Sequence, residues 1–171
     1  GLFTTLYNAK EGKLYFEIPD SAFGRTYILA NRVAATSNTR DFVAGQIATQ
    51  PLLIRFSKDE RNVYIHQIQS SDIVAGTDPI ESAFDKNFYD PVLKGFKIAA
   101  QNGKNVVIDV TAFFGANEKA ISPIKTDNPL SKLLGGGNSL KGTFVPDASG
   151  IVSSKCFPEN IEIKSRLSFT L

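Results

Sequence analysis

The chain has 171 residues, 42% of them hydrophobic and 21% charged, with 19 basic against 17 acidic side chains. That balance suits one globular domain or two small ones and excludes a chain that is disordered throughout. A net charge of +2 is too weak to point to nucleic acid or an anionic membrane surface, no apolar run is long enough for a membrane-inserted helix, and a single cysteine makes neither an internal disulfide nor a structural zinc site.

Leu2 to Leu6 is an apolar run, and Leu14, Phe16 and Ile18 alternate with Lys13, Tyr15 and Glu17. A period of two puts the first three on one face of a strand, and Glu11-Gly12 supplies the turn of a hairpin. Pro19 ends that strand, because proline cannot donate to a ladder. Arg25 to Val33 is the next predicted strand, followed by a polar loop over residues 34–46. Leu52 to Ser57 and Val63 to Ile68 flank a charged turn and predict a second hairpin. Phe96 to Ala100 and Val106 to Val110 predict a third, joined by Gln101-Asn102-Gly103-Lys104, where Asn-Gly supplies the positive φ angles of a tight turn. The last predicted strand is the longest, with Ile161, Ile163, Leu167, Phe169 and Leu171 on one side and Ser165 the only polar residue among them.

Helical signals are few. Asp78, Pro79 and Glu81 give an N-cap, a first-turn proline and a capping-box acid for a short helix over 79–87. Thr111 to Phe114 reads as one turn, and Pro129 to Leu134, stopped by Gly135-Gly136-Gly137, as another short helix. The expected fold is mainly β: an antiparallel sheet sandwich or partly closed barrel with two or three short helices, an α+β arrangement being the variant. One β-rich domain over 1–171 is expected, with residues 115–150 as an irregular excursion. The chain contains no methionine and ends in strand-like sequence, so a piece of a longer protein is expected, with Gly1 a remnant of the cut.

Catalytic signatures are weak. His66 is the only histidine and lies between Tyr64 and Ile68 in a predicted strand, without H-E-x-x-H or H-x-H spacing, so a strand-face histidine outweighs a metal ligand. It is also the only imidazole available to a serine nucleophile, and no G-x-S-x-G elbow exists. Cys156 follows Lys155, which would favour a thiolate, but neighbouring strand residues point to opposite faces, so a half-buried plain thiol is expected. The triple glycine follows Leu133-Leu134 and lacks the order of a phosphate loop. Asp72, Asp78, Glu81, Asp85 and Asp90 lack the order of a calcium loop, and most of them read as caps and turns. The thirteen phenylalanines and five tyrosines read as core before stacking platform. No catalytic, cofactor-binding or metal residue is assigned; Cys156 and His66 are the only metal candidates.

Four blocks carry a resemblance. They are Gly1-Leu2-Phe3-Thr4, Leu14-Tyr15-Phe16-Glu17-Ile18-Pro19-Asp20-Ser21 with Gly24-Arg25, Val106 to Phe114, and Phe157-Pro158-Glu159-Asn160-Ile161-Glu162. In this order the chain resembles the N-terminal domain of unknown function of bacterial exported zinc-dependent metalloproteases. In that family the H-E-x-x-H motif lies in a separate, later domain, so no catalytic residue transfers to this chain. The resemblance implies a periplasmic, outer-membrane-associated or secreted enzyme, with zinc (Zn) expected in the parent's catalytic domain and no cofactor in this chain.

Three functions are open. The first is a non-catalytic accessory domain whose partner is the catalytic domain of the same polypeptide, with residues 115–150 as the expected docking surface. The second is an inhibitory pro-segment that offers Cys156 as a thiolate to the zinc. The third is a recognition module for a peptide or glycan ligand, using a sheet edge or exposed aromatics.

Overall fold

The computed structural model describes residues 2–69, 90–124 and 142–170. Its first hairpin pairs β1 (Thr4–Asn8) with β2 (Lys13–Ile18). The Asn8 side-chain oxygen accepts from the backbone N–H groups of Lys10 and Glu11, and Gly12 takes φ +66. An Asx-type turn and a left-handed glycine are thus what reverse the chain. Leu14, Phe16 and Ile18 are buried, as their alternation requires.

A 3-10 turn at Asp20–Ala22 leads to β3 (Thr26–Leu29). The predicted strand ends there rather than at Val33. Asn31 turns its amide inward, donating to the carbonyl of Ile121 and accepting from the N–H and hydroxyl of Thr49. The predicted loop then folds back on itself through an Arg32–Ile47 bridge and the bonds Val33 N to Gln46 O and Gly45 N to Val33 O.

Next come β4 (Leu52–Lys58) and β5 (Asn62–Gln67), then β6 (Val92–Asn102) and β7 (Asn105–Asp109). The turn between β6 and β7 is one residue later than expected. Asn102 and Asn105 are paired, Gly103 has φ +62, and no non-glycine residue among those described has positive φ. This is the pattern of a primed turn with glycine first, not of an Asn-Gly turn. Helix α1 (Thr111–Gly115) follows at once, a single turn as expected.

Seven strands make one antiparallel sheet in the order β1-β2-β7-β6-β5-β4-β3, curled into a half-barrel. The partly closed barrel is therefore the arrangement adopted. The curl has a local cause. β6, the central and longest strand, carries an extra residue opposite the Ile65–His66 step and another between Ile98 and Ala100. Bulges bend a strand and increase its twist. Leu14, Phe16, Ile18, Ile54, Phe56, Val63, Ile65, Phe96, Val106 and Ile108 fill the concave side, and Phe113 from α1 plugs it. Phe3, Phe16, Tyr27, Phe56, Phe113 and Phe114 stack within that core, as expected of strand aromatics.

The remaining strands form two small ladders, β8 (Thr143–Phe144) with β11 (Phe169–Thr170), and β9 (Gly150–Cys156) with β10 (Ile161–Arg166). The long last strand is therefore two. Ser168 donates its hydroxyl to Ala148 O, donates its N–H to the Ser149 hydroxyl and accepts from Val145 N. Those bonds to the 3-10 turn at Pro146–Ala148 take the chain from one ladder to the other. The expected helices over 79–87 and 129–134 lie outside the described residues.

Candidate functional site

The face of β4 and β5 opposite the core brings polar groups together around His66. Arg55 pairs with His66 and Ser57 with Tyr64 across the ladder. The Ser57 hydroxyl lies diagonally across, 2.6 Å from His66 Nε2, while Nδ1 is 3.0 Å from the carbonyl of Asp90. A carbonyl only accepts, so Nδ1 carries the hydrogen and, in the neutral ring, Nε2 accepts from Ser57. The Asp90 carboxylate is 3.6 Å from Arg55 Nη1, and the Tyr64 hydroxyl donates to Asp59 Oδ2 at 2.8 Å.

Asp59 is the anchor of the β4–β5 turn. It accepts from the backbone N–H of Arg61 and Asn62, both at 2.8 Å, besides the Tyr64 hydroxyl. These bonds, led by the one from Arg61, hold its carboxyl below the usual carboxylate range. Asp20 is lowered by its 2.8 Å bond to the Lys58 ammonium, which also lies over the Phe23 ring. Tyr27 is raised, chiefly because burial disfavours its phenolate.

Chemically, Ser57 and His66 have the bond and the tautomer of a hydroxyl paired with a base. The group that orients the ring at Nδ1 is the backbone carbonyl of Asp90. A shallow, open depression of about 600 Å³ lies elsewhere, lined by Glu60, Arg61, Lys97 and the bulged Ile98–Gln101 stretch. The constellation is built as a cross-strand tie: both ring nitrogens are committed to protein groups.

Cys156 is at the end of β9 and is exposed, not half-buried as expected. Its Sγ is 3.1 Å from the Thr5 hydroxyl, and that hydroxyl is also 2.7 Å from Ser154 Oγ. The thiol sits at the rim because the hairpin ends here, with Phe157 N bonded to Asn160 O. The two residues singled out from sequence are not brought together. His66 is on β5 and Cys156 is beside β1, with β2, β7 and β6 between in the sheet. Among the described residues no three His, Cys, Asp or Glu side chains form a group that could hold a metal ion. Asp72, Asp78, Glu81, Asp85 and the triple glycine lie outside the described residues, and Asp90 pairs with Arg55 instead of capping a helix.

Ser57 is not legible in the sequence as a neighbour of His66: a turn over 58–62 would set 57 opposite 63, whereas the ladder pairs Lys58 with Val63 and Ser57 with Tyr64. Nor is Asp90, because nothing local fixes where the chain returns after residue 69.

Large apolar side chains stand exposed at the β3 end of the sheet. Ile28 is 72% exposed, and Val43 and Ile47, in the folded-back stretch that follows, are 67% and 50% exposed. Among the described residues β3 is bonded to β4 on one side and to no strand on the other. Within the expected docking stretch of 115–150, the described residues Ile121 and Ile124 are packed inward, Ile124 buried and Ile121 against the core; residues 125–141 of it lie outside the described residues.

Comparison with known families matches residues 45–171 to a domain of unknown function, DUF5117, and residues 1–36 to a second, DUF5118. No curated protein and no solved structure matches the chain.

Proposed function

The chain belongs to the DUF5117 family of domains of unknown function, and we propose that it is a non-catalytic accessory domain that docks on, or covers, the zinc-dependent peptidase domain of the same exported polypeptide. The observation that carries this reading is the exposed apolar group Ile28, Val43 and Ile47 at the free β3 end of the sheet. Branched apolar side chains exposed on β3 and in the stretch that follows it suit burial against a neighbour better than exposure to water. The ordered blocks of the resemblance support it in a second way. They fall on β2 with its proline stop, on β7 with α1, and on the turn before β10. Their places are those of strands and turns, which suits an accessory scaffold.

The polar groups are spent on structure in this reading. His66 ties β4 and β5 to Asp90, and Thr5 ties β1 to β9. Zinc, and the residues that ligate it, would belong to the peptidase domain.

Calorimetric titration of the chain into the polypeptide that follows it in the parent protein tests the proposal. Binding is expected, and the pair Ile28→Asp and Val43→Asp should weaken it about tenfold or more, equivalent to roughly 1.4 kcal/mol, while leaving the circular dichroism spectrum unchanged. Absence of binding overturns docking. Peptide hydrolysis by the purified chain that a chelator abolishes overturns the non-catalytic part.

A further inference from the structure

The two family matches divide the chain between residues 36 and 45, yet the sheet does not divide there. From residues 45–171 the large sheet receives β4, β5, β6 and β7, an antiparallel meander in the spatial order β7-β6-β5-β4. Such a meander has two open edges and an apolar face that Val110, Phe113 and Ile151 of the same segment cover in part. Residues 1–36 close both edges and add to the cover of the face. β2 pairs with β7 from Tyr15–Asp109 to Ile18–Val106, and β3 pairs with β4 from Thr26–Arg55 to Leu29–Leu52. Among the described residues, Leu14, Phe16, Ile18 and Ala22 supply four of the fourteen buried residues of the core.

The connection between these two edges is short. Seven residues, Pro19 to Arg25, join β2 to β3, and three of them are coiled in a 3-10 turn. They reach about 23 Å at full stretch, at roughly 3.4 Å per extended residue and 2 Å per 3-10 residue. Five inter-strand steps of a flat sheet would need about 24 Å. The clasp is therefore close to the limit of its reach across a flat sheet, and the observed curl shortens the distance it has to cross. Side chains fasten it at both ends. The Leu14 N–H donates to the Thr111 hydroxyl and Tyr7 OH to Ile151 O, Lys58 bonds Asp20, and Asn102 donates to Glu17.

We propose that the DUF5118 and DUF5117 segments are obligate partners: residues 45–171 carry a binding surface made of the β7 edge, the β4 edge and the apolar face between them, and its ligand is the 1–36 segment, without which residues 45–171 do not hold their sheet. Two independent domains would meet through side chains across a smaller, more polar contact. Here main-chain ladders and one core run through the boundary. The inference stands apart from the identity of the enzyme the domain serves.

The test cuts the intact chain. A site-specific protease sequence inserted between Arg40 and Asp41, both in the polar stretch after β3 and both exposed, allows the folded chain to be nicked there. The two pieces should co-elute as one species with an unchanged dichroism spectrum, and should part in urea at the concentration where the β signal is lost. Pieces that elute separately, with the larger keeping its β spectrum and a cooperative melt, overturn the proposal. A milder variant in the uncut chain gives a second readout. Ile18→Val should accelerate hydrogen exchange of core amides in β4 to β7 by one common factor of about five. Acceleration confined to β1 and β2 would show two separate units and overturn it.

Discussion

The ring of Phe3, one residue before β1, stands 6.1 Å from the ring of Tyr27 in β3, edge to face at 80°. β1 and β3 are opposite edges of the seven-stranded sheet, so this contact spans the mouth of the half-barrel. Phe3 also lies 4.9 Å from Phe16 and 5.8 Å from Phe56. Phe3→Ala should cost about 2 kcal/mol, below the range for a fully buried phenylalanine because Phe3 is half-buried. Urea denaturation followed by dichroism measures it; a cost near zero would mean that the mouth is held by the strands alone.

The tie at His66 is predicted to stabilise the fold. Ser57→Ala removes the partner of Nε2 and should lower stability by about 1 kcal/mol. Ser57→Thr keeps a hydroxyl and should lose less in the same urea titration. Comparable losses in both variants would assign the effect to strand packing and not to the bond.

Asp59 sets an acid dependence. Its folded-state carboxyl is held below the ordinary value of 3.8 by bonds led by the Arg61 N–H. A depressed carboxyl contributes stability above its unfolded value, and that contribution fades as pH falls through the lower folded value. The urea midpoint should therefore drop as the pH is lowered from about one unit above the ordinary carboxylate value through the region below it. Asp59→Asn should flatten that slope. An unchanged slope would transfer the acid sensitivity to other carboxylates, Asp20 first.

Gly103→Ala isolates a backbone effect. Nothing lies within 4 Å of the added Cβ, but φ is +62. The cost should be about 1 kcal/mol from the left-handed conformation alone. Gly103→Asn, which tolerates that region better, should cost less in the same thermal melt.

Cys156 separates the accessory reading from the inhibitory one. The thiol is exposed and touches Thr5, so Cys156→Ser should change stability by less than about 0.5 kcal/mol. A docking domain should bind the peptidase domain equally well with or without that substitution. Inhibition of peptidase activity that disappears in Cys156→Ser would favour the pro-segment.

Local order wrote much of the fold into the sequence. Alternation at Leu14, Phe16 and Ile18, the proline at 19 and the paired runs at 52–57 and 63–68 act over a few residues, where pattern and backbone preference decide. The hairpin turn at Gly103 falls one residue from its expected place because Asn102 and Gly103 are both turn formers, and only cross-strand register chooses between them. The break at Ser168 is illegible in the sequence, since its causes are bonds to Val145, Ala148 and Ser149, some twenty residues earlier. His66 is visible as a strand residue, but its partner Asp90 depends on where a distant stretch of chain returns. Above all, strand order was decided by the tertiary structure. Only packing could bring β2 beside β7 and place β3 at the far edge, because pairing over such separations is selected by the shared burial of a core, which no short window of residues contains.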